Sequence, residues 1–204
     1  MYTPSHFDET RFDTLRTLVT DHPLGTLVLQ GPAGLDADHI PFELSAPTAD
    51  APFGILRAHV ARANPLWRLA GQQALVVFQG PSAYISPSLY EEKQASGKVV
   101  PTYNYAVVHA HGALRAIEDP AWLLAFLDQL TQRHESTRTA PWSVHDAPRD
   151  YIDKLLGAIV GIEIRVERMQ GKWKASQNRP LQDRINIAAG EGGMAALVRS
   201  QLEA

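Results

Sequence analysis

The chain has 204 residues, 45% hydrophobic and 20% charged, enough for a globular domain that buries roughly 70% of its unfolded surface without a covalent staple. It has no cysteine, which excludes disulfides, thiolate nucleophiles, cysteine-ligated zinc and iron–sulfur clusters. A formal charge of −3 gives no overall attraction to a nucleic-acid backbone, so any DNA contact has to come from a local patch.

The opening "MYTPSHFDETRF" has neither the cationic start nor the apolar core of a secretory signal, and no later run approaches the ~20 apolar residues that span a bilayer. The expectation is a soluble, cytoplasmic protein with no membrane partner. Ser5 or Asp8 is a possible cap for a first helix, in which Phe12, Leu15, Leu18 and Val19 recur at helical spacing up to His22-Pro23. "GTLVLQGPAGLDADHIPFEL" predicts two strands around a Gly31-Pro32 and Gly34 turn, with Thr26, Val28, Ile40 and Phe42 at a period of two. The polar, proline-rich "SAPTADAPFG" is a loop.

"ILRAHV" is a third strand. It runs into "NPLWRLAG", a short helix with Asn64 as cap, Pro65 at the first helical position and Gly71 past the end. "QALVVFQG" and "SAYIS" read as two extended pieces broken by Gly80-Pro81, and "YNYAVVHAHGALRAI" as one long alternating strand. Asp119-Pro120 starts a helix with Trp122, Leu123, Phe126, Leu127 and Leu130 on one face, and a second helix from Arg149 carries Tyr151, Ile152, Leu155 and Ile159. "GIEIRVERMQGKWKAS" reads as a last strand and turn. The glycines of "AAGEGGMAAL" suit a flexible tail, with a weaker helix reaching the end of the chain. About seven short strands, with helices outside the strand block and connections too short for crossovers, predict an α+β antiparallel barrel with flanking helices.

Three stretches carry chemistry. In "ILRAHVARANPLWRL", strict alternation puts Arg57, His59 and Ala61 on one face. The free amides of a helix start at Asn64, with Arg62, form a cradle for a phosphate; the alternative is an exposed edge face with a well-capped helix. In "VPTYNYAVVHAH", Tyr103, Tyr105, His109 and His111 share a face, but no carboxylate matches the two histidines, so no metal is assigned. In "GKWKASQNRP", Lys172, Lys174, Gln177, Asn178 and Arg179 surround Trp173, a set that suits phosphate, nucleic acid or an acidic partner, although such a charge run is more often a solvated turn. GxxxxGK[ST], GxGxxG after a strand, HExxH and GxSxG are all absent.

Taken together, "MYTPSHF", "AHVARANPLW…VVFQGPSAYISPSLYEEK…VPTYNYAVVHAHG" and "AIVGIEI…GKWKASQN" resemble the PaiB-type proteins, a group of FMN-binding negative transcriptional regulators. The resemblance runs from Met1 to about Arg184. It implies an FMN-binding split β-barrel over residues 1–185, a C-terminal helical tail over 186–204, and a homodimer with FMN at the subunit interface. It implies a flavin phosphate near His59, Val60, Ala61, Arg62 and Asn64, a ring along His39, Ile40 and Pro41, and further pocket residues at Lys174, Gln177 and Asn178. The chain departs from the family pattern with Tyr103 in place of a Trp and Ala175 in place of a Leu.

The function this implies is regulation, with flavin as sensor or structural ligand. Net charge and the lack of a helix-turn-helix with a basic second helix stand against direct DNA binding. The alternatives are an FMN-dependent oxidoreductase acting with a nicotinamide or small substrate, and a barrel that holds haem or no cofactor.

Overall fold

A computed structural model describes residues 1–203. In chain order the elements are β1 (Asp8–Glu9), α1 (Phe12–Asp21), β2 (Leu24–Gly31), β3 (Gly34–Pro41), β4 (Glu43–Leu44), β5 (Ile55–Ala61), β6 (Gln73–Ile85), α2 (Glu92–Ala95), β7 (Thr102–Ile117), α3 (Pro120–Glu135), α4 (Arg149–Leu156), β8 (Ile159–Arg165), β9 (Arg168–Lys174), α5 (Leu181–Ala188) and α6 (Gly193–Glu203). The strands follow the order β3-β2-β6-β7-β8-β5-β4, and β9 pairs with β7 and β1. The chain divides into two compact units. One comprises Met1–His22, Val77–His109 and the chain from Met169; the other comprises Pro23–Val76 and Ala110–Arg168.

In the second of these units, β2 and β3 form the expected antiparallel hairpin, closed by Gly31 opposite Gly34. Gly34 has φ +117°, which an L side chain rarely adopts, so the turn depends on glycine there. β5 pairs with β8 in a register that sets Leu56 opposite Ile164, Ala58 opposite Ile162 and Val60 opposite Val160, all buried. This is the apolar face that β alternation requires.

The opposite face of β5 is not an exposed edge. Arg57 lies across from Glu163 and donates to it through Nε at 2.9 Å. Beside it, α3 covers the sheet: Trp122 stacks on Phe126 at 5.3 Å, and the Phe126 ring meets the His59 ring edge-on at 6.1 Å. Gly161 makes this approach feasible, because a Cβ there would sit 2.3 Å from the Trp122 ring. Asp119 caps α3 by accepting from the Ala121 amide, as its sequence suggests. Leu123 of α3 joins Ile152 and Leu156 of α4 in a separate buried cluster with Val144.

In the other unit, α1 buries Leu15, Leu18 and Val19. Neither Ser5 nor Asp8 caps this helix. The residue before it is Arg11, whose amide and guanidinium both donate to the Glu9 carboxylate. Gly80-Pro81 does not break β6, which runs through it as one strand of 13 residues. The glycine provides a close approach, since a Cβ would lie 2.8 Å from a Leu18 methyl.

The stretch after α4 holds two strands where one was expected. β8 ends before Val166 and pairs with β5 and β7, whereas β9 pairs with β1 and β7. The glycine-rich end is ordered: α5 and α6 bury Ile187, Ala188, Met194 and Val198 against Ile85, Tyr90 and Ala175. No helix among the described residues is long and apolar enough to cross a membrane.

Candidate anion and flavin site

The sequence-predicted residues fall in both units. His39, Ile40, Pro41, His59, Val60, Ala61, Arg62 and Asn64 lie in one, and Lys174, Gln177 and Asn178 in the other. In the first set, β5 ends at Ala61 and the chain turns into the expected short helix, a 3₁₀-helix over Pro65–Leu69. Asn64 caps it, its Oδ1 accepting from the Leu66 amide at 3.0 Å. Asn64 Nδ2 donates to Asp38 Oδ1 at 2.8 Å, so the expected ring strand and the expected phosphate turn are brought together.

The chemistry of this place differs from a bare anion cradle. Arg62 donates through Nε to the Gly157 carbonyl at 2.8 Å, through Nη2 to the Ile159 carbonyl at 3.2 Å, and through Nη1 to Glu118 at 2.5 Å. Its charge is thus paired, and its fork ties the end of α4 to the start of β8. The groove beside Asn64, about 520 Å³, has Leu27, Leu29, Leu66 and Leu69 in its wall, with Asp36 and Asp38 and no Lys or Arg. Carboxylates here oppose a dianionic phosphate. Ile40 and Val60 are core side chains, while His39, Pro41 and Ala61 are exposed.

His59 is held by α3 rather than by an open cleft, and burial lowers its pKa below the ordinary 6.5. The unfolded chain therefore takes up a proton near pH 6.5 that folded His59 resists, so stability is lost as pH falls below 6.5 and is unaffected by this group above it. His59→Phe should flatten the fall in urea midpoint between pH 7 and pH 5.5. The slope that remains belongs partly to His111, which burial and Arg168 shift in the same direction.

The second set sits on β9 and the turn after it. Lys174 Nζ donates to Thr102 Oγ1 and, at 2.7 Å, to the Tyr103 carbonyl, both uncharged partners. Burial lowers its pKa; Tyr105 opposes this, and the positive charges of Lys172 and Arg179 add to it. An anion bound there would relieve both effects. Tyr84 and Tyr103 are 56% and 58% exposed, and their rings meet edge-on at 6.3 Å, leaving aromatic surface beside the cations. Gln177 is committed to the turn: its Oε1 accepts from the Ala175 amide at 2.7 Å and its Nε2 donates to the Trp173 carbonyl at 2.5 Å. Asn178 is exposed.

Sequence reasoning left Asn104 and Ser176 outside the site. Asn104 is fully buried on β7, donates Nδ2 to Ser176 Oγ at 2.8 Å, and has no partner for its Oδ1. A buried acceptor without a donor is uncommon and marks a place for one. Cations with no carboxylate partner among the described residues, beside exposed rings, fit a phosphate-bearing aromatic ligand.

Residues 1–168 match the sequence profile of the family described as "Putative FMN-binding domain". The chain belongs to this family. Over 93% of its length it is 36% identical to a protein of Emericella nidulans, covering 90% of that protein. It is 33% identical over 92% of its length to the protease synthase and sporulation protein PAI 2 of Bacillus subtilis, covering 87% of that protein. The resemblance to the PaiB-type group drawn from its motifs therefore holds.

Among solved structures, a FAD and heme binding protein of Mycobacterium smegmatis matches with a TM-score of 0.61 at 21% identity, over 91% of this chain and 80% of the other. A flavocytochrome of Azotobacter vinelandii matches with a TM-score of 0.58 at 15% identity, over 91% and 77%. At these identities the likeness is one of fold. The expected α+β class, an antiparallel split barrel with flanking helices, is the fold of this family member.

Proposed function

We propose that the protein binds FMN as its cofactor and acts as a flavin-dependent regulator of the PaiB type, with flavin as sensor or structural ligand at the interface of a homodimer. The observation that carries this reading is membership of an FMN-binding family over residues 1–168, with PAI 2 among the relatives. FMN supplies a redox-active isoalloxazine ring when bound. On the protein side, Lys174, with Lys172 and Arg179 nearby, is the group suited to hold the phosphate, because its partners are neutral. Tyr103 and Tyr84 offer surface for the ring. Arg62 and Asn64 fix the turn after β5 and its link to β3. Regulation is read as indirect, since the charge of −3 disfavours DNA.

The test is a flavin spectrum and a solution mass of the purified protein, with FMN affinity measured on wild type and Lys174→Ala. Bound FMN, a dimeric mass and affinity about tenfold weaker in the variant are expected, on the scale of one charge-assisted contact of ~1.5 kcal/mol. No flavin binding removes the reading. Rapid bleaching of the bound flavin by NADH or NADPH under anaerobic conditions would replace the regulator with an oxidoreductase.

A further inference from the structure

Ser176 is the one non-glycine residue among those described with a positive φ, +63°. Left-handed backbone is unfavourable for a residue with a Cβ, and such strain persists where the surroundings over-determine it, most often at ligand clamps. Here the surroundings are specific. Asn104 Nδ2 donates to Ser176 Oγ at 2.8 Å inside the core, and the Ser176 carbonyl accepts from the Arg179 amide at 2.9 Å. Gln177 closes the same turn through Trp173 and Ala175. The turn therefore departs from β9 in a direction set by one residue's backbone, and that residue is held by one buried amide from β7.

We infer that Asn104 is a positioning residue: by holding Ser176 Oγ it keeps the Ser176 backbone left-handed and thereby pre-sets the turn that carries Gln177, Asn178 and Arg179 beside Lys174 for an incoming phosphate-bearing ligand. The inference rests on the proposed FMN site. It assigns Asn104 and Ser176 no charge and no chemistry, only control of what fraction of molecules has the turn ready. Affinity scales with that fraction, so releasing the hydroxyl weakens binding in proportion. Glycine adopts positive φ without penalty, whereas alanine does not.

Two substitutions that both delete the hydroxyl therefore separate positioning from contact. With FMN as probe, Ser176→Ala is expected to bind about tenfold more weakly than wild type, and Ser176→Gly within about threefold of it. Asn104→Leu should behave like Ser176→Ala, and Asn104→Leu with Ser176→Gly should recover most of the loss. The one-bond Cα–Hα coupling of residue 176, which separates positive from negative φ, should report left-handed φ in wild type and a shift towards negative φ in Ser176→Ala when read by NMR without ligand.

An unchanged coupling in Ser176→Ala overturns the inference whatever FMN does, and this variant leaves the core free of a new leucine should Asn104→Leu fail to fold. Equal weakening in Ser176→Gly and Ser176→Ala also overturns it, since the hydroxyl would then touch the ligand. Lys174→Ala reports separately on the site: if it binds FMN as wild type does while the coupling changes as expected, the site reading has failed and the turn positions nothing there. If Lys174→Ala loses affinity but Ser176→Ala does not, the site stands and the role given to Asn104 falls.

Discussion

Gly112→Ala should unfold the protein at a temperature lower by about 6–12 °C, the shift that corresponds to a loss of ~3 kcal/mol in a chain of this size. Gly112 lies within β7 where that strand runs beside β8. A Cβ built on it would lie 2.0 Å from the Arg165 carbonyl oxygen, 3.0 Å from the carbon of that carbonyl and 3.0 Å from Cγ2 of Ile164. The first contact is with backbone, so no rotamer change can absorb it. The strands have to part locally, which strains the pairing of Leu114 with Ile164 next to it. A melting temperature within 2 °C of wild type would show that β7 and β8 do not approach each other so closely.

Arg57→Leu is expected to cost about 2 kcal/mol, with little response to salt, and Glu163→Leu in the same chain should restore most of the loss. Glu163 is 8% exposed and accepts from Arg57 at 2.9 Å and from Arg115 at 3.5 Å. Arg115 is mostly in solvent and its contact is long, so Arg57 is the partner that compensates the buried carboxylate. Removing Arg57 leaves that carboxylate with only the long contact to Arg115, and opens the small hollow that Arg57 lines with Trp122 and Phe126. Removing both members leaves apolar groups beneath α3. Urea titrations of the two single variants and the double variant measure the coupling, and additive losses would mean that the pair contributes nothing jointly.

The elements most legible in the sequence were those fixed by neighbours a few residues away. Alternation with Gly34 gave the hairpin, Asp119-Pro120 gave the start of α3, and Asn64-Pro65 gave a capped helical turn. Misreadings came where a residue answers to distant partners. Gly80 looks like a breaker and instead admits Leu18, and the Val166-Glu167 junction holds no Gly, Pro, Asn or Asp to mark where β8, paired with β5, gives way to β9, paired with β1. Arg62 looked like a free cation because its acceptors lie 56, 95 and 97 positions away. Ser176 carries no local mark of left-handed backbone, since its support comes from Asn104, 72 positions earlier.

The three-way grip of Arg62 on Glu118, Gly157 and Ile159 decides how loss-of-cofactor phenotypes should be scored. Arg62→Ala loosens the scaffold whether or not it touches the cofactor, because the guanidinium joins the turn after β5 to Glu118 and to the 157–159 segment. Thermal midpoints recorded beside each absorbance spectrum keep the two kinds of defect apart.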